Sequence, residues 1–429
     1  MNIVSNPQRS DWGALLKRPA FDSRSLESVV LPVLKAVKES GDKALLEFTA
    51  RFDKVALTDM QATPGEIKEA ESLLSDDLKA AIVQAKQNIH LFHSRQLQLP
   101  EKVETMPGVT CWRKSVGIEK VGLYIPGGSA PLFSTVLMLG IPANIAGCKE
   151  ILLTTPPGKE GRIHPAILFA AQQAGITRIF KAGGAQAIAA MAYGTESIPA
   201  VSKIFGPGNQ YVTCAKQLVQ RDGVAIDMPA GPSEVCVLAD ETANPDYIAA
   251  DLLSQAEHGP DSQVLLVTTS AKLASEVIKA VDTQTLTLPR RQMVEGALQH
   301  SKTIVVKDIP EAIAIVNAYA PEHLIISCAN DEAIAELVVN AGSVFLGNYS
   351  PESAGDYASG TNHTLPTNGY ARAYSGVSVD SFVKKITYQK LTRDGLSEIA
   401  PVIIRMAEAE GLDAHANAVR VRMEGRHEV

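Results

Sequence analysis

Residues 120–157 read KVGLYIPGGSAPLFSTVLMLGIPANIAGCKEILLTTPP, and the fold class is best argued from this stretch. Two short apolar runs, KVGLYIP and EILLTTPP, enclose a longer run, STVLMLGIPANIAG, that reads as a helix. Apolar strands that alternate with helices are typical of parallel sheets covered by helices on both faces. The stretch therefore predicts the beginning of an α/β domain.

The same rhythm continues along the chain after this stretch. It continues through SKIFGPG and NQYVTCAKQLVQR, and a second series restarts near residue 234 with EVCVLAD, SQVLLVTTS, KTIVVKD, HLIISC and SVFLG. We predict an α/β protein with two related Rossmann-like parallel-sheet domains and a small helical C-terminal tail. The expected division is an N-terminal arm over 1–20, a first α/β domain over 21–116 with 240–378, a second α/β domain over 117–239, and a helical tail over 379–429 that includes FVKKITYQKL.

Composition excludes several classes of protein. The 429 residues carry a formal net charge of −7, which argues against nucleic acid or an anionic membrane as the main partner. The start of the chain shows no secretory signal, and the most apolar window is too short to span a membrane. The five cysteines are scattered and show no CxxC pair, which favours a reducing cytoplasm over a disulfide framework.

Glycine-rich loops follow several predicted strands. They are YIPGGSAP (124–131), KAGGAQA (181–187), FGPGNQY (205–211) and MPAGPSE (228–234). Ligands of open parallel sheets bind beyond the carboxyl ends of strands, and glycine permits close backbone approach to a phosphate. None of the loops matches the G-x-G-x-x-G fingerprint, so alone they indicate a cofactor site only weakly.

Polar residues stand at positions that otherwise read as core. Gln255 and His258 lie three apart at the end of a predicted helix, so both can reach one ion. Glu322 and His323 stand in tandem before a strand and offer a carboxylate and an imidazole for proton exchange. Asp356 lies in the long polar segment 348–378, with His363 seven residues later.

Each of these signals also has an ordinary structural explanation, such as helix capping or a solvated loop. Glu410 and His415 flank a glycine near the end of the chain and are equally ambiguous. Together, however, the residues offer nitrogen and oxygen ligands suited to zinc or manganese, with no thiolate. The combination predicts a dehydrogenase or a metal-assisted hydrolase.

Seven stretches, in order along the chain, resemble the histidinol dehydrogenase family. They are KAGGAQAIAAMAYGT, IFGPGNQYV, DMPAGPSE, DLLSQAEHGPDSQ, YAPEHL, ESAGDYASGTNHTLPT and AEGLDAHANAVRVR. The resemblance spans nearly the whole chain. It implies two successive NAD-dependent oxidations, from L-histidinol through bound L-histidinal to L-histidine.

The resemblance also implies a set of site residues. One zinc ion per subunit is expected at Gln255, His258, Asp356 and His415. His323 is the implied general base, and Glu322 is implied to activate water for the second oxidation. The implied NAD contacts are Tyr124, Gln186 and Asn209. The implied substrate contacts are Ser233, Gln255, His258, His323, Asp356, Glu410 and His415.

The family is homodimeric, and the tail is expected to carry Glu410 and His415 into the active site of the neighbouring subunit. The metal used in the cell, the order of proton transfers and the role of His363 stay open. Three alternatives also stay open at this point. They are a thiol mechanism through Cys111 or Cys148, a zinc hydrolase that ignores NAD and uses Glu322 as base, and a non-catalytic two-domain binding protein.

Overall fold

A computed structural model describes residues 1–19, 23–127, 131–176 and 178–424. The chain divides into two compact units, unit 1 with residues 1–96 and 118–382, and unit 2 with residues 97–117 and the chain from Val383 onward. Five parts of the predicted regions lie outside the described residues: residue 20 of the arm, residues 21 and 22 of the first domain, residues 128–130 of the first glycine loop, residue 177 of the second domain, and residues 425–429 of the tail.

The described residues form fourteen strands and sixteen α-helices. The strands are β1 Asn2–Ser5, β2 Lys102–Met106, β3 Val109–Gly117, β4 Lys120–Tyr124, β5 Glu150–Thr155, β6 Arg178–Lys181, β7 Lys203–Phe205, β8 Ala225–Ile226, β9 Glu234–Ala239, β10 Gln263–Thr268, β11 Lys302–Val305, β12 His323–Ser327, β13 Ser343–Leu346 and β14 Val383–Leu391. The helices are α1 Trp12–Leu15, α2 Ser23–Phe48, α3 Pro64–Ser72, α4 Asp76–Ser94, α5 Phe133–Ile145, α6 Pro165–Gln173, α7 Gly184–Tyr193, α8 Gln210–Arg221, α9 Pro245–Ala256, α10 Ala271–Thr285, α11 Arg291–His300, α12 Ile309–Tyr319, α13 Asp331–Ala335, α14 Glu352–Tyr357, α15 Arg393–Ala409 and α16 Asp413–Glu424.

Unit 1 contains two parallel sheets with the same order of strands. The five-stranded sheet has the order β6-β5-β4-β7-β8, and the six-stranded sheet has the order β1-β11-β10-β9-β12-β13. In each sheet the first strand of the series lies at the centre, two later strands follow on one side, and the last two lie on the other. The fold class predicted from the sequence, two related Rossmann-like sheets, is confirmed.

Strand burial explains why the sequence reads as continuous apolar runs. All six residues of β9 and all six of β10 are buried, because helices cover both faces of the sheet. In the five-stranded sheet, α5 is buried along ten of its residues and reads as apolar on every side. Several helices begin with side-chain caps, at Ser75, Asn209, Asn244, Ser270 and Asp308.

The helices α2, α3 and α4 belong with the five-stranded sheet. Val37 and Leu45 of α2 pack in one core with Leu152 of β5, and Ile82 and Ile89 of α4 pack in another core with that sheet. The sequence analysis grouped residues 21–116 with 240–378, and the structure differs because α2 and α4 present their apolar faces to the five-stranded sheet. No periodicity within a helix identifies which of two sheets it will cover.

The N-terminal arm is ordered over residues 1–19. β1 extends the six-stranded sheet by pairing in parallel with β11, and α1 follows shortly after. The sequence analysis expected an irregular arm, because a four-residue edge strand gives too short a pattern to recognise.

Unit 2 has an antiparallel sheet of order β14-β3-β2, followed by α15 and α16. The prediction of a helical tail holds for α15 and α16, but FVKKITYQKL was read as helical and is largely the strand β14. Its partner β3 lies about 270 residues earlier in the sequence, with Tyr388 paired and stacked on Trp112. This cross-strand packing is not visible in the local pattern.

A membrane span was not expected from the sequence. Among the described residues, no helix is both long and apolar enough to cross a bilayer.

Candidate active site

A polar cluster lies at the amino edge of the six-stranded sheet, where its parallel strands begin. Glu234 is the first residue of β9, His323 is the first residue of β12, and Glu322 directly precedes His323. Gln255 lies in the last turn of α9, which returns to this edge before β10. The sequence analysis sought ligands beyond the carboxyl ends of strands. That expectation was made for the glycine loops, whereas these residues lie on helix-to-strand connections, in line with the position of Glu322 and His323 before a predicted strand.

The main chain of one residue holds the tandem pair. Glu322 Oε2 accepts a hydrogen bond from the backbone N–H of Glu234 at 2.8 Å, and His323 Nδ1 lies 3.2 Å from the backbone oxygen of Glu234. Because a carbonyl oxygen only accepts, this contact favours the tautomer that carries a proton on Nδ1. In a neutral imidazole this leaves Nε2 as the basic atom. Nε2 is buried and lies 3.4 Å from Asp356 Oδ1.

Gln255 and Asp356 face the same imidazole. The Gln255 amide nitrogen lies 3.4 Å from His323 Nδ1. Gln255 Oε1 and Asp356 Oδ1 are both buried, and neither has a hydrogen-bond partner within the described residues. Burial raises the pKa of Asp356, but the nearby imidazole of His323, at 3.4 Å, and the charges of His363 and His258 hold it below the ordinary value. His258 follows Gln255 closely, and its backbone N–H donates to the backbone oxygen of Gln255 at 3.2 Å.

The electrostatic balance of this polar cluster is negative. Burial lowers the pKa of His323, but Glu322, Asp356 and Glu352 together raise it well above the ordinary value. The sequence pattern showed only one of the carboxylates, Glu322, beside this imidazole, and the structure adds Asp356 and Glu352. A cation among these carboxylates would oppose their effect on the pKa of His323.

Glu352 is a member of the cluster that sequence reasoning missed. It is the first residue of α14, is buried, and accepts a hydrogen bond from Ser254 Oγ at 2.6 Å. Burial raises the pKa of Glu352 to about 8, although the charge of His323 opposes this shift. The available signal was its spacing of four residues from Asp356, which places both carboxylates on one face of a helix.

His363 holds the segment that carries Asp356. Its Nδ1 lies 2.9 Å from the backbone oxygen of Asp356, and its Nε2 lies 3.1 Å from Thr135 Oγ1. Burial lowers the pKa of His363. Both ring nitrogens therefore have protein partners, which favours a supporting role.

The residues of unit 1 fit part of a metal site. Gln255 Oε1 and Asp356 Oδ1 are unpartnered buried oxygens, and His258 adds an imidazole, which is a donor set suited to zinc. The described part of the chain contains no group of three or more His, Cys, Asp or Glu side chains that would hold a metal. Of the four predicted ligands, unit 1 contains His258, Asp356 and the amide of Gln255.

Glu410 and His415 lie in unit 2. Glu410 caps the C-terminal end of α15, and His415 lies in the first turn of α16. Both side chains are exposed in the single chain. Their assignment to the site therefore stays a prediction.

A cavity of about 1200 Å³ opens at the carboxyl edge of the five-stranded sheet. Tyr124, Gln186 and Asn209 all line it. These are the three residues for which the resemblance implied NAD contacts, and they come from the ends of β4, β6 and β7. The edge lies at the point where the strand order reverses between β4 and β7, which is the usual ligand crevice of such sheets.

Backbone geometry shapes this cavity. Tyr124 Oη accepts a hydrogen bond from the N–H of Gly184 at 3.1 Å, at the start of α7. Burial raises the pKa of Tyr124 to about 12. Asn209 Oδ1 caps α8 by accepting from the N–H groups of Tyr211 and Val212. The N-terminal ends of both helices therefore lie at the cavity, where they favour an anion such as a phosphate.

The backbone N–H and the backbone oxygen of Gly206 are both hydrogen-bonded to side chains. Its N–H donates to Asp227 Oδ2 at 2.8 Å, and its oxygen accepts from Lys216 Nζ at 2.8 Å. Its φ is 125°, and a Cβ atom at this position would overlap the backbone oxygen of Tyr124. Only glycine therefore fits here, and the loop to Asn209 follows from this conformation.

A second cavity of about 790 Å³ contacts both edges. Ser233, Glu234 and His258 line it, and Pro126 and Asn209 line both cavities. Ser233, an implied substrate contact, thus lies in the same cavity as a metal-ligand candidate. The second cavity is therefore a candidate for the substrate space beside the nucleotide.

The cysteines give no support to a thiol mechanism. Burial raises the pKa of the Cys148 thiol to about 11, and its Sγ lies 3.7 Å from the backbone oxygen of Phe382. Cys111 lies in β3 of unit 2. Cys148 is thus a protonated thiol packed against the core, and a thiolate nucleophile there has no structural support.

The family model, the relatives and the solved structure described next are all histidinol dehydrogenases, and each matches nearly the whole chain. The family model described as histidinol dehydrogenase matches residues 16–423. A histidinol dehydrogenase of Bacteroides thetaiotaomicron is 63% identical over 423 residues, covering 99% of each chain. The chloroplastic histidinol dehydrogenase of Arabidopsis thaliana is 53% identical, covering 98% of this chain and 90% of that protein. The crystal structure of histidinol dehydrogenase from Elizabethkingia anophelis superposes with a TM-score of 0.97 at 56% identity, covering 99% of this chain and 98% of that one.

Proposed function

The chain belongs to the histidinol dehydrogenase family of NAD-dependent dehydrogenases, and from this premise we propose that it oxidises L-histidinol to L-histidine in two steps at the polar cluster. The observation that carries the proposal is the tandem pair at the amino edge. Glu322 and His323 are buried and fixed by the backbone of Glu234, and His323 Nε2 has no hydrogen-bond partner among the described residues.

His323 is the general base of the proposed reaction. Its Nδ1–H donates to a carbonyl oxygen, so Nε2 takes the proton of the alcohol during the first oxidation. NAD, when bound, supplies the hydride acceptor. Tyr124, Gln186 and Asn209 would hold the nucleotide in the cavity at the carboxyl edge of the five-stranded sheet.

Glu322 is the proposed base of the second step. An aldehyde gives up a hydride only after water has added to it, and the addition is helped by a carboxylate that takes a proton from the water. Glu322 Oε2 is fixed by the N–H of Glu234. Because the two bases are adjacent, the aldehyde can stay in place between the steps.

Zinc is the proposed metal, with Gln255, His258 and Asp356 as ligands from unit 1. When bound, the ion would orient the amino alcohol and polarise its oxygen. The unpartnered oxygens of Gln255 and Asp356 support this assignment, as does the excess of carboxylates around His323. Ser233, in the neighbouring cavity, is a proposed substrate contact.

We further propose a homodimer in which α15 and α16 of one subunit supply Glu410 and His415 to the site of the other. Two observations support it: unit 1 offers an incomplete ligand set, and both side chains are exposed in the single chain. Heterodimers of His323→Ala and His415→Ala subunits should recover activity, because one of their two sites has all its residues. Absence of recovery after subunit exchange, verified by mass spectrometry, would refute sharing.

The second candidate function is a zinc hydrolase that uses Glu322 as base. It shares the polar cluster but makes no use of the 1200 Å³ cavity with its three predicted nucleotide contacts. The dehydrogenase uses both, so we favour it.

An assay of the zinc-loaded protein with L-histidinol and NAD separates the two functions. We expect two reduced NAD molecules for each L-histidine formed, measured by absorbance and chromatography. Substrate consumption without NAD reduction would favour a hydrolase, and the absence of turnover would refute the proposed function.

A further inference from the structure

The N-terminal arm reaches the catalytic pair through one buried arginine. Arg18 donates from Nε to Glu234 Oε1 at 2.5 Å and from Nη2 to Glu234 Oε2 at 2.8 Å, which is a bidentate ion pair. The two side chains are only 13% and 3% exposed. Such a pair fixes both position and orientation of the carboxylate.

Arg18 also contacts the turn that precedes the catalytic pair. Its Nη2 lies 2.9 Å from the backbone oxygen of Tyr319 and 3.4 Å from that of Ala320, and its guanidinium lies 3.9 Å from the centre of the Tyr319 ring. Ala320 has a φ of 54°, a left-handed conformation that is rare for alanine. Contacts to the flanking carbonyl groups help to hold this conformation, and Pro321 leads from it directly into Glu322.

Glu234 connects this network to the reacting groups. Its side chain is held by Arg18 and by the N–H of Asn368 at 2.7 Å. Its own N–H and carbonyl oxygen hold Glu322 Oε2 and His323 Nδ1. A displacement of Glu234 would therefore move both catalytic side chains and loosen the bond that keeps the proton on His323 Nδ1.

We propose that Arg18 is a positioning residue, which acts through Glu234 and the turn at Tyr319–Pro321 to set the geometry of Glu322 and His323. This inference rests on the roles proposed above for those two residues. It assigns a catalytic purpose to an arm that lies more than 200 residues from Glu234 in the sequence. Arg18 uses Nε and Nη2 for contacts within the protein, and its side chain also lines the second cavity.

Arg18→Gln is the main test, with Arg9→Gln as the matched control. Arg9 lies in the same arm, is exposed, and contacts the Trp12 ring. We expect Arg18→Gln to lower the kcat of L-histidinal oxidation by about 100-fold, since a displacement of about 1 Å at a reacting group has this effect. The KM for NAD and the zinc content of Arg18→Gln should stay within about twofold of the wild type. Arg18→Lys should keep part of the rate, because lysine retains the positive charge but cannot make the two parallel hydrogen bonds of a guanidinium group.

A double-mutant cycle with Glu322→Gln separates positioning from general loss of stability. If Arg18 acts on the second oxidation through Glu322, then adding Arg18→Gln to Glu322→Gln should lower that rate by less than about threefold. Independent effects that multiply would overturn the proposal. An Arg18→Gln phenotype no larger than that of Arg9→Gln, or one that follows zinc loss alone, would also overturn it.

A spectroscopic measurement tests the same point without turnover. In the zinc-loaded protein with ring-¹⁵N-labelled histidine, the His323 resonances, assigned with His323→Asn, should report a proton on Nδ1 in the wild type. Arg18→Gln should shift or broaden them, whereas unchanged resonances would contradict the proposal. If wild-type protein fails to oxidise L-histidinol, the proposed function fails, and this measurement still decides whether Arg18 positions His323. Should Arg18→Gln not fold, Glu234→Gln replaces it, because that change removes the ion pair and keeps the backbone.

Discussion

The two parallel sheets of unit 1 have the same strand order, yet the candidate sites lie at opposite edges of them. The predicted nucleotide contacts lie at the carboxyl edge of the five-stranded sheet, whereas the polar cluster lies at the amino edge of the six-stranded sheet. A shared topology therefore does not fix which edge becomes a site. Helix ends explain which kind of ligand each edge suits, because the carboxyl edge of a parallel sheet offers helix N-termini and the amino edge offers helix C-termini.

Helix ends differ in charge. The N-terminal ends of α7 and α8 lie at the nucleotide cavity and attract anions, whereas the C-terminal end of α9, with Gln255 and His258 nearby, favours a cation. One edge thus suits a phosphate-bearing cofactor and the other a metal. The two candidate sites are also built differently. The polar cluster consists of buried side chains, whereas the backbone conformation of glycine loops shapes much of the cavity.

Glu322→Gln should give the largest effect, and only on one half-reaction. We expect the oxidation of L-histidinal to slow by about 10²- to 10⁴-fold, the usual contribution of a general base, because glutamine cannot take a proton from water. The oxidation of L-histidinol should slow by less than about tenfold. Stopped-flow measurement of NAD reduction from each substrate tests this, with Glu241→Gln at an exposed position as control. Equal slowing of both steps would contradict the assignment.

His258→Asn should act on the metal and leave the nucleotide cavity unchanged. Loss of one imidazole should weaken zinc binding by at least about 10- to 100-fold, measured by competition with a chelator. The exposed His90→Asn in α4 is the control. Zinc affinity equal to that of the wild type would remove His258 from the ligand set.

Gly206→Ala should act on the cavity and leave the metal unchanged. A methyl group would overlap the backbone of Tyr124, so the loop to Asn209 must move, and the KM for NAD should rise by about tenfold with zinc content unchanged. Gly147→Ala is a matched control, because Gly147 also has a positive φ of 80° but open space around it. If Gly206→Ala and Gly147→Ala raise the KM for NAD equally, the close approach of Gly206 to the backbone of Tyr124 does not determine the shape of the cavity.

Asp53→Asn should give the smallest effect, on stability as a function of pH. Asp53 lines the nucleotide cavity, and burial raises its pKa from 3.8 to about 6. An acid with a raised pKa in the folded chain costs stability once it ionises in the unfolded chain, so the cost is absent below pH 3.8 and complete above pH 6. The variant should therefore be more stable by roughly 1 kcal/mol at pH 8, discounted for partial exposure, and no more stable at pH 3.5.

Denaturant unfolding without nucleotide measures this difference. Asp282→Asn, at an exposed position of α10, is the control. A gain for Asp53→Asn that is the same at both pH values would show that ionisation of Asp53 is not its cause.

Sequence alone predicts much of unit 1 because its strands are local, continuous and buried. The runs KVGLYIP, EVCVLAD and SQVLLVTTS each contain a strand of the parallel sheets. Strand β14 was misread because its stability comes from pairing with β3, and the helices α2 and α4 were assigned to the wrong sheet because an apolar face does not specify its partner.

The site was predictable where a residue type is unusual for its place, and otherwise not. The tandem Glu322–His323 and the pair Gln255 and His258 stood out in apolar surroundings. Arg18 and Glu234 did not, because an arginine in an arm and a glutamate before a strand are common, and only the fold brings them together. The amino-edge location likewise depends on the connections, which no motif describes.

Crystals of the zinc-loaded protein, measured at the zinc absorption edge, would test the proposed metal site directly. The account predicts one anomalous peak per subunit, about 2.0–2.2 Å from Gln255 Oε1, a nitrogen of His258 and an oxygen of Asp356, with His415 of a second subunit as a further ligand. A peak elsewhere, or a peak without contact to Asp356 and His258, would contradict it.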